Sequence, residues 1–462
     1  LAPVHNPLLL ALFIIAAMVY FTGLGWLLVG IPSHGSLIRK KADVSIIQEF
    51  AVTILVGMIL NYGLVVVIQN LTTSLSVGIC LGIIGLVSYI VYLSKQIPKQ
   101  KLSDQKVTFL LLTFTLLVVL LGPIIVEPLR DWDARSIWFL HAKMIYSAGT
   151  IGFPAGWTET AITWSHPDYP KFIPALAAQI AFIFGFWNEY LPKLSLFLTL
   201  VPGFIFIINT LKRQVSDVLL FLMVPFSFFP YVWNGYMDGI LAFYFAITLI
   251  FMIKWSKSNN PTDLFTGICS MTFLMMLKNE GILAFISIII SIILFLFFYR
   301  KKVYLKPILS KYWRYFIAIC ILLIPFLAWL YLKSQWGLQS DLEIGTRTSI
   351  LQIISRLGDG SWKMILKAEY RHISINLLIA ILAFLASLRW KIPAIKDTIP
   401  ILAAAGVYFL GITFIYLLTP RDLNWHLDTS IERTMMMVNA ALIYSWYEVI
   451  SKIEKAQRCD EI

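Results

Sequence analysis

The stretch EPLRDWDARSIWFLHAKMIY, residues 127–146, sets Glu127, Arg130, Asp131, Asp133, Arg135, His141 and Lys143 directly behind a long apolar segment. A charge at bilayer depth costs roughly 2.5–3.5 kcal/mol on insertion scales, so such a run either sits in water or lines a polar site. Three later stretches repeat the mixture. NGYMDG carries Asp238, MLKNEG carries Lys278 and Glu280, and TPRDLNWHLDTSIERT carries Arg421, Asp422, His426, Asp428, Glu432 and Arg433, each at the edge of an apolar run. Singly, each is explained by a helix cap or a snorkelling charge. Jointly they offer a definite chemistry. A carboxylate near an interface serves as general base toward a hydroxyl, while arginine, lysine and histidine hold a phosphate by charge-assisted hydrogen bonds, the planar guanidinium bidentately. An amphiphilic donor with a phosphate head and a lipid tail would dock at that depth. The interleaved Trp132, Trp138, Trp157, Trp164, Trp187, Trp233 and Trp425 suit stacking on sugar faces, although membrane-interface belts account for such tryptophans more often.

The elements that must position these residues are apolar spans. With 59% hydrophobic and only 13% charged residues over 462 positions, the chain reads as one polytopic, all-α integral membrane unit, against about 25% charged in soluble domains. Hydropathy places about thirteen spans of roughly 20 residues, at 8–30, 45–69, 74–94, 107–126, 189–211, 216–233, 238–255, 263–278, 281–299, 314–333, 372–389, 398–418 and 431–450. The net charge of +12 sits in short connections, where the positive-inside bias explains it, so nucleic acid is not an expected partner. If the spans alternate, the clusters at Arg39–Lys41, Lys95–Lys106, Lys212–Arg213, Lys254–Lys257, Arg300–Lys306, Arg389–Lys396 and Lys452–Arg458 all fall on one side. That predicts a cytoplasmic C-terminus, with the site facing the exterior or periplasm of a bacterial inner membrane. Segments 127–188, 234–238, 278–280, 334–371 and 419–432 then share the outer face, with five of the six histidines, His5, His141, His166, His372 and His426.

Within the first outer segment, SIWFLHAKMIY and FIPALAAQIAFIFGFW are expected to be juxtamembrane helices at the interface. Cys80, Cys269, Cys320 and Cys459 pair by spacing neither with one another nor with a histidine, so neither a disulfide framework nor a zinc site is supported. The opening LAPVHNPLLL carries no basic n-region and no small-residue cleavage site, so the first span is expected to be retained. The sequon Asn70-Leu71-Thr72 lies tight against the membrane and reads as a plain turn.

In their order, these motifs resemble the integral-membrane glycosyltransferases of the GT-C superfamily, especially bacterial relatives of the protein O-mannosyltransferases and of the lipid A aminoarabinose transferase. DWDARSIWFLHAKMIYSAG is similar to their acidic first outer loop, HPDYPKFIPALAAQIAFIFG to their proline-rich juxtamembrane helix, LKRQ to a basic inner turn and KNEG to a K-x-E-G-like element. TPRDLNWHLDTSIER resembles the last outer loop of some members, and the likeness covers about 95–450. It divides the chain into a three-span extension (1–94), a catalytic module (95–450) with the large outer loop 127–188, and a cytoplasmic tail (451–462). The chain departs from the pattern in having three spans before the loop-bearing module, where one is usual, and in having no large soluble domain after the last span. Acceptor recognition would then come from outer loops, including 334–371 with Arg347, Arg356, Lys363, Lys367 and Arg371.

Carried over residue by residue, the resemblance implies Asp133 as catalytic base with Asp131 as its alternate. Lys278, Glu280, Arg421, His426 and Arg433 would surround the donor phosphate. Asp238, His166 and Tyr169 would orient an acceptor or a metal. Members of the superfamily differ in metal use, so a divalent cation, Mg or Mn, between Asp133 and Asp238 stays open and no other cofactor is implied. The expected activity is inverting transfer of a sugar from a polyprenyl-phosphate donor to a lipid, glycan or protein acceptor, with membrane lipids as surroundings. Two other readings differ in what they require. A polyprenyl-diphosphate-oligosaccharide ligase or polymerase would depend on His426 and Arg421 rather than Asp133. A transporter or flippase would want charges deep within spans or broken helices at matching places in two halves, and the ionisable residues here cluster near span ends.

Overall fold

The computed structural model describes residues 6–33, 46–95, 104–210, 216–217, 220, 231–299, 305–340, 342, 346–390 and 395–460. Among them all regular structure is helical, with no strand and a single isolated bridge between Asn70 and Thr150. The helices are α1 (Pro7–Ser33), α2 (Ile46–Ile68), α3 (Leu71–Ser94), α4 (Asp104–Val126), α5 (Phe139–Ala148), α6 (Pro154–Thr158), α7 (Phe172–Phe184) and α8 (Leu194–Thr210). They continue with α9 (Asp238–Ser258), α10 (Pro261–Leu277), α11 (Glu280–Tyr299), α12 (Leu305–Gln335), α13 (Arg347–Gly358), α14 (Ser361–Arg389), α15 (Ile395–Leu418), α16 (Leu423–Thr434) and α17 (Met436–Asp460). Eight helices among the described residues are long and apolar enough to cross a membrane, and four shorter apolar ones accompany them. The protein is thus an all-helical polytopic membrane protein. Most of the expected span 216–233 lies outside the described residues, as do Arg39–Lys41, Lys99, Lys101, Lys212, Arg213, Arg300–Lys302 and Lys391.

The helix ends sort into two polar layers. At one end Gln48 of α2 donates to Asp263 (3.2 Å) and Thr266 (3.1 Å) of α10, and Lys257 of α9 pairs with Asp397 of α15 and Glu448 of α17, both at 3.0 Å. Strict alternation of the spans predicts these ends on one side, and they meet. At the other end lie the junctions α4–α5, α9, α10–α11 and α16–α17, which carry the candidate site.

Two expectations change on folding. FIPALAAQIAFIF becomes α7, but Phe172–Ala181 is buried on every side, as befits a helix inside the bundle rather than one lying on a surface. It is fixed there by polar contacts to α2: Asn61 Nδ2 donates to Gln179 Oε1 (2.7 Å), and the Lys171 backbone N–H donates to Tyr62 Oη (3.2 Å). Of the basic residues expected to recognise an acceptor from 334–371, Arg356 turns inward, only 5% exposed, and donates to the carbonyls of Tyr416 (2.6 Å), Leu417 (3.4 Å) and Arg421 (3.0 Å). It satisfies the orphan carbonyls at the end of α15, a cap rather than a docking group. The opposite face of α13 exposes Ile350, Leu351, Ile354 and Leu357 at helical spacing, as in a helix lying in a membrane interface.

Candidate functional site

Five charged side chains from four separate stretches meet at the second polar layer. Lys278 Nζ lies 2.9 Å from both Asp238 Oδ1 and Glu280 Oε1. Arg433 Nη1 contacts Asp133 Oδ2 directly and stands 3.7 Å from Asp238 Oδ2. The ring of Tyr236 covers the guanidinium at 4.6 Å, and Arg433 Nη2 donates to the Thr429 carbonyl (2.9 Å). Asp238 is 1% and Lys278 5% exposed, so these charges hold one another out of water.

Local sequence explains each placement. Asp238 and Glu280 open α9 and α11, where a carboxylate complements the helix dipole. Lys278 follows the last residue of α10 in an extended conformation, which ends that helix and points the chain back into α11. Gly281 completes the turn, since a Cβ there would overlap the Leu274 carbonyl. Asp133 precedes a π-helical turn, Ala134–Trp138, that runs into α5; such turns occur frequently at functional sites. Asp422 caps α16 by accepting from the Trp425 N–H (2.8 Å), and the helix stops at Met435, leaving Arg433 in its last turn.

Among the described residues, Asp238 Oδ2, Glu280 Oε2 and the buried Tyr408 hydroxyl make no hydrogen bond, although Asp238 Oδ2 faces Arg433 Nη1 at 3.7 Å. A buried acceptor without a donor carries a desolvation penalty of about 1–3 kcal/mol. A divalent cation between Asp133 and Asp238 fits poorly, because the Arg433 guanidinium already stands between those carboxylates. Among the described residues no group of three or more acid, histidine or cysteine side chains is arranged to hold a metal. Burial, with the negative charge of Asp133 beside it, raises the pKa of the Tyr236 phenol, which therefore stays neutral.

A second cluster adjoins the first. Lys171, wholly buried, directs Nζ to His141 Nδ1 (3.0 Å) and the Pro167 carbonyl (2.8 Å) and lies over the rings of Trp157 (4.4 Å) and Trp329 (5.3 Å). His141 Nε2 meets Ser165 Oγ at 3.0 Å, and Ser165 donates to the Ile162 carbonyl (2.6 Å). With Ser165 donating to Ile162, the imidazole donates from Nε2 and accepts from the lysine at Nδ1. Burial drives the Lys171 pKa well below the ordinary lysine value, Asp168 only partly opposing it and Lys333 adding to it. Burial and then the Lys171 and His166 charges push His141 well below the usual imidazole range. Beside them Asp168, 1% exposed, accepts from Asn279 (2.8 Å) and pairs with Lys333 (3.1 Å). Asn279 lies between Lys278 and Glu280 in the chain, so one turn joins the two clusters.

The structure therefore brings Asp133, Asp238, Lys278, Glu280 and Arg433 together. Asp131 is half-buried, two residues from Asp133. His426 lies outside the cluster, on α16 seven residues before Arg433 and hence about 10 Å along the axis, with its ring against Tyr416 at 5.0 Å. Arg421 is exposed, over the Trp425 ring at 5.6 Å. His166 and Tyr169 stack on each other at 4.9 Å in the second cluster, and Tyr169 stacks on Trp138 at 5.5 Å. Lys171, Asp168, Ser165 and Lys333 were not expected in any site. The sequence signal for the first three is the density of polar residues and prolines in SHPDYPK immediately before an apolar helix, and Lys333, at the end of α12, has none. Compared with known protein families, curated proteins and solved structures, the chain matches none.

Proposed function

We propose that the protein is a membrane glycosyltransferase with a GT-C-like architecture of about thirteen crossings. It takes a sugar from a polyprenyl-phosphate donor at the non-cytoplasmic face of a bacterial inner membrane and passes it to a lipid, glycan or protein hydroxyl. The observation that carries this reading is the meeting of Asp133 with Arg433, 300 residues apart in sequence, inside a layer that also holds Asp238, Lys278 and Glu280.

In this reading the donor phosphate docks on Arg433, with Lys278 behind it. Asp133 removes the proton from the acceptor hydroxyl, whose oxygen attacks the anomeric carbon from the face opposite the phosphate. The bond from that carbon to the phosphate oxygen breaks, its electron pair leaves with the phosphate, and the guanidinium stabilises the charge that develops. The configuration inverts because there is one displacement. Asp238 and Glu280 keep Lys278 charged and in place. His426 and Arg421, outside the cluster, are left to bind the outer part of the lipid head group.

The test is turnover of a radiolabelled polyprenyl-phosphate sugar in proteoliposomes. Asp133→Asn is expected to insert and fold normally and to lose at least 100-fold in turnover, the scale of one general base. Turnover retained within threefold overturns the assignment of Asp133.

A further inference from the structure

A cavity of about 310 Å³ opens between the Trp157–Asp168 segment and the turn after α12, at the lower end of the roughly 300–1,000 Å³ typical of ligand pockets. We infer that it binds a neutral polyhydroxylated ring, a sugar residue of the acceptor; its role as acceptor subsite rests on the glycosyltransferase reading, while its ligand class does not.

The lining sets the class. The cavity is lined by Thr158, Thr163, His166, Asp168 and Gln339; the threonine hydroxyls donate to the Pro154 and Thr160 carbonyls, which leaves their oxygens as acceptors, and the Gln339 amide can both donate and accept. Sugar hydroxyls, which donate and accept at adjacent positions, match that mixture, and an acyl chain does not. Charged ligands are disfavoured from both directions. The Asp168 carboxylate repels an anion, and Lys333 at 3.1 Å from that carboxylate already supplies the counter-charge a cation would bring.

The cavity is also built rather than incidental. Asp168 is held by Lys333 and Asn279, and the Pro167 carbonyl by the buried Lys171, so the wall is fixed from behind. His166 adopts a left-handed backbone (φ 53°), uncommon for a residue with a Cβ, and such strain gathers at functional sites. Location supplies the last link. Asn279 joins the wall to Lys278 and Glu280, and Trp132, the neighbour of Asp133, meets Trp164 at a ring separation of 5.9 Å, with both rings largely exposed. Trp164 follows the lining residue Thr163 in the chain, so the paired indoles adjoin the cavity, and exposed aromatic faces suit sugar rings.

The experiment uses the full chain in proteoliposomes with Thr163→Cys, an exposed lining position, labelled by a membrane-impermeant maleimide. The probes are methyl glycosides of glucose, galactose, mannose, rhamnose and N-acetylglucosamine at millimolar concentration. At least one is expected to slow labelling fivefold or more, with protection falling to less than twofold when Asp168→Asn or Gln339→Ala is added. Gln339, exposed at the mouth, serves where the Asp168 change fails to fold. No protection by any glycoside, or protection unchanged by both substitutions, overturns the inference. Protection without turnover in the donor assay supports the ligand class and counts against the glycosyltransferase reading alone.

Discussion

Removing Lys278 is the sharpest test of the polar layer, because its side chain is the shared partner of two acids and has almost no access to water. At 2.9 Å from each of Asp238 and Glu280, and with an effective dielectric constant of 20, each attraction is worth about 6 kcal/mol gross. Desolvation of the three ions, several kcal/mol apiece, cancels most of that sum. What does not cancel is the asymmetry of removal: Lys278→Met keeps the desolvation of both carboxylates and deletes the charge that compensates them. The expected loss is about 3–5 kcal/mol, the range for breaking a buried pair from one side. Titration of the protein in mild micelles with dodecyl sulfate, followed by tryptophan fluorescence, measures it. A second variant separates charge from packing. Lys278→Met with Glu280→Gln leaves Asp238 as the one ionised partner of the lost lysine, and Asp238 still faces Arg433 at 3.7 Å, so at least half of the loss should return. A loss below about 1 kcal/mol for the single variant, or a double variant no better than the single, refutes a compensated buried network there.

The remaining expectations address other parts of the fold. His141 is held neutral, with its folded pKa well below the reference 6.5, so protons bind the unfolded chain first as pH falls. Its contribution to stability is therefore complete above pH 6.5 and declines below it, with a slope approaching about 1.4 kcal/mol per pH unit. Dodecyl sulfate midpoints measured between pH 7.5 and 5 should show that decline and lose part of it in His141→Asn; equal slopes in the two proteins count against a neutral buried imidazole. Gly57 of α2 faces the Phe21 carbonyl of α1 so closely that a Cβ would overlap it. Gly57→Val should force the two helices apart at a cost of about 1–3 kcal/mol, seen as an earlier midpoint, and an unchanged midpoint contradicts the close packing.

Hydropathy exposed most of the helices because runs of about 20 apolar residues have few other uses. It also located the turn between α10 and α11, since KNEG interrupts two apolar runs with charges and a glycine. It failed where polarity and burial part company. α14 begins at Ser361, well before the span expected at 372, because SWKMILKAEYRH is too charged to register as apolar although it continues the same helix. The expected span 431–450 instead breaks at Met435, and the break separates α16 from α17. Lys171 and Lys333 were invisible for a related reason. A lysine beside an apolar run reads as a snorkelling group, and only three-dimensional packing shows that Lys171 points inward to His141. The convergence of Asp133, Asp238, Lys278, Glu280 and Arg433 was legible as a shared depth, but the pairing of particular partners was not. Sequence fixes which end of each span carries a charge, whereas the lateral order of helices decides which charges touch.

The pairing itself constrains the proposed reaction. Arg433 engages Asp133 through Nη1 and the Thr429 carbonyl through Nη2 while the Tyr236 ring covers one face, and a guanidinium has five N–H donors, so in the proposed reaction it can hold a phosphate oxygen and the carboxylate side by side. The half-buried ion pair thus ties α16 to the segment that carries Asp133 and, through Asp238, to α9, so the groups the proposed reaction needs are also those that hold these elements together.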